Sequence, residues 1–171
     1  MSRIHPTAVV DGSVHLAADV EIGPWCVVGP NVELRPGVRL VSHAVVQQDT
    51  TVGERTTIHP FAVIGGDPQH NGYKGEPVRL EIGSDNVIRE HCSFNRGTPQ
   101  GTGVTRVGSN GLFMTGAHIG HDCVVGDNVV MANNATLGGH AQGRNPRTHL
   151  PARADVESIP AAVLLQWPLR A

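Results

Sequence analysis

Two histidines and an aspartate stand close together in the stretch GAHIGHDCVVG, residues 116–126. His118 and His121 are three residues apart, and Asp122 directly follows the second histidine. An imidazole is a common general base near neutral pH, and it is also a common metal ligand. The residue types leave both chemistries open, so the structure that holds these side chains must decide between them.

Composition and charge narrow the class of protein. A chain of 171 residues suits one domain, and 13 Lys and Arg against 15 Asp and Glu give a net charge of −2. This balance argues against a protein that binds nucleic acid. The chain has no apolar run of about 18 residues and no apolar signal-peptide segment near its start. We therefore expect no membrane span and a cytoplasmic protein.

An aliphatic or other large apolar residue recurs at every sixth position. One series runs from Ile4 to Ile64, a second from Ile82 to Phe94, and a third from Val107 to Leu137. The fourth residue after each of these is mostly small. One large and one small inward position per six residues fits neither an α-helix nor an alternating flat sheet. The period predicts an all-β fold, a hexapeptide parallel β-helix. In such a fold three six-residue repeats, here called hexads, form one triangular coil.

Two further expectations follow from the cysteines and the glycines of the hexads. Cys26, Cys92 and Cys123 fall in the small inward position or its equivalent, so we interpret them as free core thiols rather than disulfide or metal partners. Glycine often follows the aliphatic residue, as in VGPNVE and VGDNVV. We expect this glycine to supply turn conformations that other residues resist.

Two insertions and a tail depart from the repeat. The insertions cover residues 65–81 and 95–106 of a β-helix domain that we place at residues 1–142. In a solenoid, insertions concentrate on one face, which is often the binding face. Residues 143–171 lose the period and hold four prolines, Pro146, Pro151, Pro160 and Pro168. We expect this atypical tail to be largely disordered.

Four segments resemble the UDP-N-acetylglucosamine O-acyltransferase family: PQHNGYKGEP, IREHCSFNRGT, GAHIGHDCVVG and ANNATLGGH. The resemblance spans roughly residues 3–141. It implies a left-handed parallel β-helix and a homotrimer with active sites in clefts between subunits. It also implies transfer of a 3-hydroxyacyl chain from acyl carrier protein to the 3-hydroxyl of UDP-N-acetylglucosamine, the first step of lipid A synthesis. The carrier-protein thioester is then a donor substrate, and no cofactor is expected.

The resemblance assigns roles to the histidine segments. His121 matches the general base, Asp122 matches the acid that orients it, and Gly139 matches the residue whose backbone N–H stabilises the oxyanion. His118 and His140 match substrate contacts. The chemistry is consistent, because a sugar hydroxyl needs its proton removed as it attacks a thioester, and an imidazole held by a carboxylate can remove it.

The insertions supply three further candidate substrate contacts, His70, Lys74 and Arg96. Lys74 and Arg96 are cations that could meet phosphate or the carboxylates of a carrier protein. Many family members carry Asp-Leu-Lys where this chain has His70, Asn71 and Gly72. His70 could replace the hydrogen bond of that acid, whereas Gly72 cannot replace a cation.

Three alternatives stay open at this point. A coenzyme A-dependent hexapeptide acetyltransferase would keep the fold and change the donor. A zinc enzyme of the β-helical carbonic anhydrase type would use His118, His121 and a neighbouring subunit's histidine as metal ligands. An inactive scaffold would share every feature of the coils. Because family members continue with further coils and a helical domain, the loss of period after Ala141 suggests a truncated or frameshifted reading. We then expect weak or no turnover.

Overall fold

The computed structural model describes residues 2–143, and this part of the chain consists of short β-strands joined by turns and loops. The strands are, in chain order, β1 Arg3–Ile4, β2 Val9–Val10, β3 His15–Leu16, β4 Glu21–Ile22, β5 Val27–Val28, β6 Glu33–Leu34, β7 Arg39–Leu40, β8 Val45–Val46, β9 Thr50–Val52, β10 Thr57–Ile58, β11 Val63–Gly66, β12 Arg79–Ile82, β13 Val87–Ile88, β14 Ser93–Asn95, β15 Val104–Val107, β16 Leu112–Phe113, β17 His118–Ile119, β18 Val124–Val125, β19 Val130–Met131, β20 Thr136–Leu137 and β21 Gln142–Gly143. No helix that could cross a membrane occurs among these residues.

The strands form three parallel sheets of seven strands each. The first sheet has the order β1-β4-β7-β10-β13-β16-β19, the second β2-β5-β8-β11-β14-β17-β20, and the third β21-β18-β15-β12-β9-β6-β3. Each strand pairs with the strand one coil further on, as Ile4 does with Ile22 and Val10 with Val28. The predicted left-handed parallel β-helix is confirmed.

The hexad residues fill the interior of this triangular prism. Ile22, Leu34 and Ile58 are at most 2% exposed, and the small residues of the hexads are buried beside them. Phe94 and Phe113, where the series has an aromatic residue, meet edge to face with ring centroids 5.1 Å apart. The hydrophobic core is therefore a continuous column along the whole stack.

The corners of the prism use the left-handed backbone region. Among residues 2–143, fourteen non-glycine residues have positive φ, eight of them Asn or Asp, and each directly precedes a small inward residue. Asn and Asp tolerate this region better than most residues, which explains their frequency at the corners. Asp122 and His140 occupy two such corners, with φ of 58° and 65°. The corner therefore fixes the backbone conformation of both residues.

The glycines after the aliphatic residues serve a purpose that we did not predict. Gly23, Gly53 and Gly83 do not have positive φ, so the expectation that they supply turn conformations is wrong for them, whereas Gly65, which follows Ile64, has a φ of 81°. A Cβ on Gly23 would lie 1.8 Å from the carbonyl oxygen of Val41, and one on Gly53 would lie 2.3 Å from the carbonyl carbon of Gly83. These positions need glycine because the next coil passes too close for a side chain.

Both insertions leave the prism at the same corner, between the second and third sheets. The first loop, residues 67–78, joins β11 to β12, and the second loop, residues 96–103, joins β14 to β15. Both are shorter than predicted, because β11 and β12 extend into the first insertion and β14 and β15 into the second. Gly143 still pairs with Val125, and the rest of the predicted tail lies outside the described residues.

The three cysteines are free and buried, as predicted. Burial raises the pKa of the Cys92 and Cys123 thiols to about 11, and burial raises the pKa of Cys26 as well. Since the thiolate is the reactive form, we expect no cysteine to react with iodoacetamide at pH 8 in the folded protein. All three should react after denaturation, as mass spectrometry of the alkylated protein would show. Rapid labelling of the native protein would contradict the burial of these thiols.

Candidate active site

Four residues meet where the two loops leave the prism. His121 and Asp122 lie in the turn between β17 and β18, and Gly139 and His140 lie in the turn between β20 and β21. Gly139 lies one coil beyond His121, and His140 lies one coil beyond Asp122. The His140 N–H donates to the carbonyl oxygen of His121 at 2.8 Å. We call these four residues the histidine corner. Regular stacking of the coils brings these four residues together.

His121 and Asp122 form a hydrogen-bonded pair. The Nδ1 atom of His121 lies 2.9 Å from Oδ2 of Asp122. The imidazole is 12% exposed and the carboxylate is fully buried. An ionised carboxylate can only accept hydrogen bonds, so Nδ1 carries a proton. In the neutral form of the ring, Nε2 is then the atom with the lone pair and the one that can take a proton.

The carboxylate of Asp122 is stabilised in its charged form although it is buried. Burial by itself would raise the pKa of Asp122. Hydrogen bonds from Thr98, His121 and the backbone N–H of Thr102 outweigh this effect and lower the pKa to about 2. Asp122 is therefore ionised at every pH at which the protein would work, and it can stabilise an imidazolium at His121.

The low pKa of Asp122 predicts a specific loss of stability in acid. Because the folded-state pKa lies below the usual 3.8, the ionised carboxylate stabilises the fold above about pH 4, and this stabilisation is lost as the pH falls towards 2. The free energy of unfolding should fall by about 2 kcal/mol more in the wild type than in Asp122→Asn over this range. Denaturant unfolding at several pH values measures the difference. Parallel curves for the two proteins would contradict it.

Gly139 lies directly against the imidazole of His121. A Cβ built on Gly139 would be 2.5 Å from both Cε1 and Nε2 of that ring. Nothing in residues 2–143 accepts a hydrogen bond from the Gly139 N–H. The corner thus places the Gly139 backbone, with an N–H that has no acceptor among these residues, against the His121 ring.

Two more histidine rings surround His121. The His140 ring meets it edge to face with centroids 4.9 Å apart, and the His70 ring from the first loop meets it at 5.5 Å. Nδ1 of His70 accepts a hydrogen bond from the Gly72 N–H at 3.1 Å, which fixes that ring within the loop. Lys74, further along the same loop, is exposed, and its Nζ lies 3.5 Å from the carbonyl oxygen of Asn71.

His118 lies on β17 and faces outward from the second sheet. Its Nδ1 atom is 2.8 Å from Oγ of Ser93 on the neighbouring strand. Burial lowers the pKa of His118, while a hydrogen bond with the backbone of Ser93 acts in the opposite direction. The ring is therefore neutral near pH 7. No ring contact joins His118 to the histidine corner within the described residues.

Arg96 does not lie where a substrate contact would require it. Its side chain is only 1% exposed, its Nε donates to the carbonyl oxygen of Gly65 at 3.0 Å, and it pairs with Asp67 and Asp49. The Tyr73 ring lies 6.0 Å from the guanidinium carbon. These partners neutralise the charge inside the protein, so in this structure Arg96 fastens the first loop to the coils rather than facing a ligand.

The distances between side chains in the histidine corner also concern the hypothesis that these residues bind a metal ion. Ligand atoms of His121, Asp122 and His140 lie within 4.8 Å of one another, the one such group of three in the described part of the chain. The carboxylate is already hydrogen-bonded to Thr98, Thr102 and His121. Only the two imidazoles keep open ligand atoms, whereas catalytic zinc sites use three protein ligands. The hydrogen bonding favours the base over a metal ligand set.

Sequence reasoning missed the residues of the second loop that hold Asp122. Thr98 donates to the carboxylate through its hydroxyl at 2.6 Å and its N–H at 3.0 Å, and the Thr102 N–H donates at 2.9 Å. A Cβ on Gly101 would lie 2.4 Å from Cγ of Asp122. The segment NRGT carried part of the resemblance, but no pattern in it connects Thr98 with a residue 24 positions later.

Comparisons with known proteins agree with this fold. The family described as bacterial transferase hexapeptide, with six repeats, matches residues 1–36 and 105–139. The acyl-[acyl-carrier-protein]–UDP-N-acetylglucosamine O-acyltransferases of Syntrophobacter fumaroxidans and Caulobacter vibrioides are 52% and 56% identical over 137 residues. Those alignments cover 80% of this chain but 53% and 52% of the relatives.

Solved structures show the same relationship. The crystal structure of UDP-N-acetylglucosamine O-acyltransferase from Moraxella catarrhalis has a TM-score of 0.80 and 45% identity, and covers 82% of this chain and 55% of that one. The structure of the Arabidopsis UDP-N-acetylglucosamine acyltransferase has a TM-score of 0.67 and 34% identity, and the match covers 81% of this chain and 56% of that one. The chain spans about half the length of the relatives that it matches. By its sequence and its fold, this chain belongs to the UDP-N-acetylglucosamine O-acyltransferase family.

Proposed function

We propose that the histidine corner transfers a 3-hydroxyacyl chain from acyl carrier protein to the 3-hydroxyl of UDP-N-acetylglucosamine, the first step of lipid A synthesis. The observation that carries the proposal is the pairing of His121 Nδ1 with the buried Asp122 carboxylate at 2.9 Å. This bond leaves Nε2, an atom on the ring edge that lies against Gly139, as the proton acceptor of the proposed reaction. Membership of the acyltransferase family supports the choice of donor and acceptor, because its relatives carry both in their names.

The proposed reaction uses the geometry in one sequence of steps. Nε2 of His121 takes the proton of the sugar hydroxyl while the hydroxyl oxygen attacks the thioester carbonyl carbon. The new C–O bond leaves a negative charge on the carbonyl oxygen, which the Gly139 N–H stabilises. Collapse of this intermediate breaks the C–S bond, and the imidazolium returns its proton to the departing thiolate. The thioester supplies the acyl group, so the proposed chemistry requires no cofactor.

Asp122 and the surrounding side chains have supporting roles in this proposal. The ionised Asp122 carboxylate stabilises the imidazolium that forms when His121 takes the proton. His140 and His70 flank the reacting atoms and are proposed to contact the sugar or the acyl chain. His118 and Lys74 are proposed as further substrate contacts along the same side of the prism.

The proposal includes a homotrimer in the cytoplasm. Val9 and Val27 on the outer face of the second sheet are 65% and 41% exposed, and Phe61 at the adjacent corner is 53% exposed. Exposed apolar patches of this kind are typical of association surfaces. The same sheet carries His118 further along the stack, so a second copy packed on this face would lie beside the proposed site. This arrangement fits the cleft between subunits that the resemblance implies.

A comparison of acyl donors tests the proposed function. The purified chain would be incubated with UDP-N-acetylglucosamine and either 3-hydroxyacyl-acyl carrier protein or acetyl-coenzyme A, and the release of free thiol would be followed. We expect a slow release of thiol from the carrier-protein donor and none from acetyl-coenzyme A. Faster release from acetyl-coenzyme A would favour the acetyltransferase alternative. No release from either donor would favour the inactive scaffold.

A further inference from the structure

The hydroxyl of Thr98 shares the carboxylate oxygen that faces His121. Thr98 Oγ1 lies 2.6 Å from Oδ2 of Asp122, and Nδ1 of His121 lies 2.9 Å from the same oxygen. The Thr98 side chain is 1% exposed, so water does not compete for this bond. A short hydrogen bond between a hydroxyl and a buried carboxylate is among the stronger ones in proteins.

The second loop fixes the direction of that hydroxyl. The Gly101 N–H donates to Thr98 Oγ1 at 3.1 Å, which leaves the hydroxyl proton free to point at Asp122. The Thr98 N–H adds a second bond to Oδ2 at 3.0 Å, and the Thr102 N–H occupies Oδ1 at 2.9 Å. The carboxylate therefore cannot rotate without breaking several bonds at once.

The segment that contains Thr98 also holds the first loop. Asn95 Nδ2 donates to the carbonyl oxygen of Asp67 at 2.8 Å, and Arg96 Nε donates to the carbonyl oxygen of Gly65. Residues 95–98 therefore have two roles. They hold the Asp122 carboxylate that pairs with His121, and they hold the base of the first loop, which places His70 against the His121 ring.

We propose that Thr98 is a positioning residue, which holds the Asp122 carboxylate so that His121 keeps its proton on Nδ1 and its lone pair on Nε2. This inference rests on the proposed function, in which Nε2 removes the proton of the sugar hydroxyl. Thr98 touches no reacting atom, and it acts on the reaction through Asp122 alone.

Nitrogen-15 NMR of the histidine rings tests the role without any turnover, since it reports which ring nitrogen carries the proton. In Thr98→Val we expect His121 to shift measurably towards the Nε2-protonated form, and the turnover number to fall roughly 10-fold with little change in KM. Thr98→Ser, which keeps the hydroxyl, should restore the wild-type ring and remain within about 2-fold in rate. Thr57→Val, on the outer face of β10, is the control and should change neither.

The outcomes separate this role from the proposed function. A wild-type ring form and rate in a folded Thr98→Val protein would overturn the positioning role. If the wild type forms no product but Thr98→Val still changes the ring, the positioning role stands and the proposed function fails. If the valine variant does not fold, Thr98→Ala, which removes the hydroxyl but keeps the backbone donor, is measured in its place against the same two criteria.

Discussion

Replacing His121 with alanine is expected to lower the rate of acyl transfer by ~10²–10⁴-fold. The variant loses the atom that takes the hydroxyl proton, and no other imidazole is paired with a buried carboxylate in the described part of the chain. Because the side chain is partly exposed and lies at a corner, the coils should stay folded. Initial rates with 3-hydroxyacyl-acyl carrier protein and UDP-N-acetylglucosamine measure the effect.

An exposed histidine supplies the control for that experiment. His15 lies on the outer face of β3, far along the stack from the histidine corner, and His15→Ala should leave the rate unchanged. Equal rates for His121→Ala and the wild type would show that another group removes the proton. Circular dichroism of the three proteins would verify that the fold is the same.

Replacing Gly139 with alanine is expected to lower the rate by ~10²–10³-fold, the effect typical of losing one oxyanion donor. Gly139 does not have positive φ, so alanine is not strained by the backbone itself. Its Cβ would instead lie 2.5 Å from Nε2 of His121. Either the ring or the Gly139 backbone must move, and both changes disrupt the proposed arrangement of base and donor.

The neighbouring glycine is a matched control. A Cβ on Gly138 would meet nothing within 4 Å, so Gly138→Ala should keep its activity within about 2-fold. Steady-state rates of the two alanine variants, measured beside the wild type, isolate the contact with His121. Similar rates for Gly138→Ala and Gly139→Ala would mean that the space against the imidazole is not used in catalysis.

The period of the hexads was enough to predict the fold, and its physical basis explains why. A large side chain such as Ile22 or Ile58 must recur every six residues to fill a prism with three short faces, so the sequence records the architecture directly. The glycines were interpreted wrongly because a sequence does not distinguish a residue that needs unusual φ from one that another coil approaches closely. Gly53 belongs to the second kind.

The site was predictable only in part. His121 and His140 meet because they are about one coil apart, and regular spacing conveys that. Thr98 reaches Asp122 from an irregular loop, where no period relates sequence distance to spatial distance. The burial of the Arg96 side chain was not predicted from the sequence for a related reason. A cation beside a loop suggests an exposed contact, while its burial with Asp67 and Asp49 depends on how the loop folds back.

The chemical identity of the product tests the central proposal most directly. The purified chain would be incubated with UDP-N-acetylglucosamine and 3-hydroxyacyl-acyl carrier protein, and the nucleotide sugar would be analysed by mass spectrometry and proton NMR. The proposal predicts a product heavier by one 3-hydroxyacyl group, esterified at the 3-hydroxyl of the sugar and formed only when His121 is present. An unmodified sugar, an acyl group at another position, or equal product from His121→Ala would contradict it.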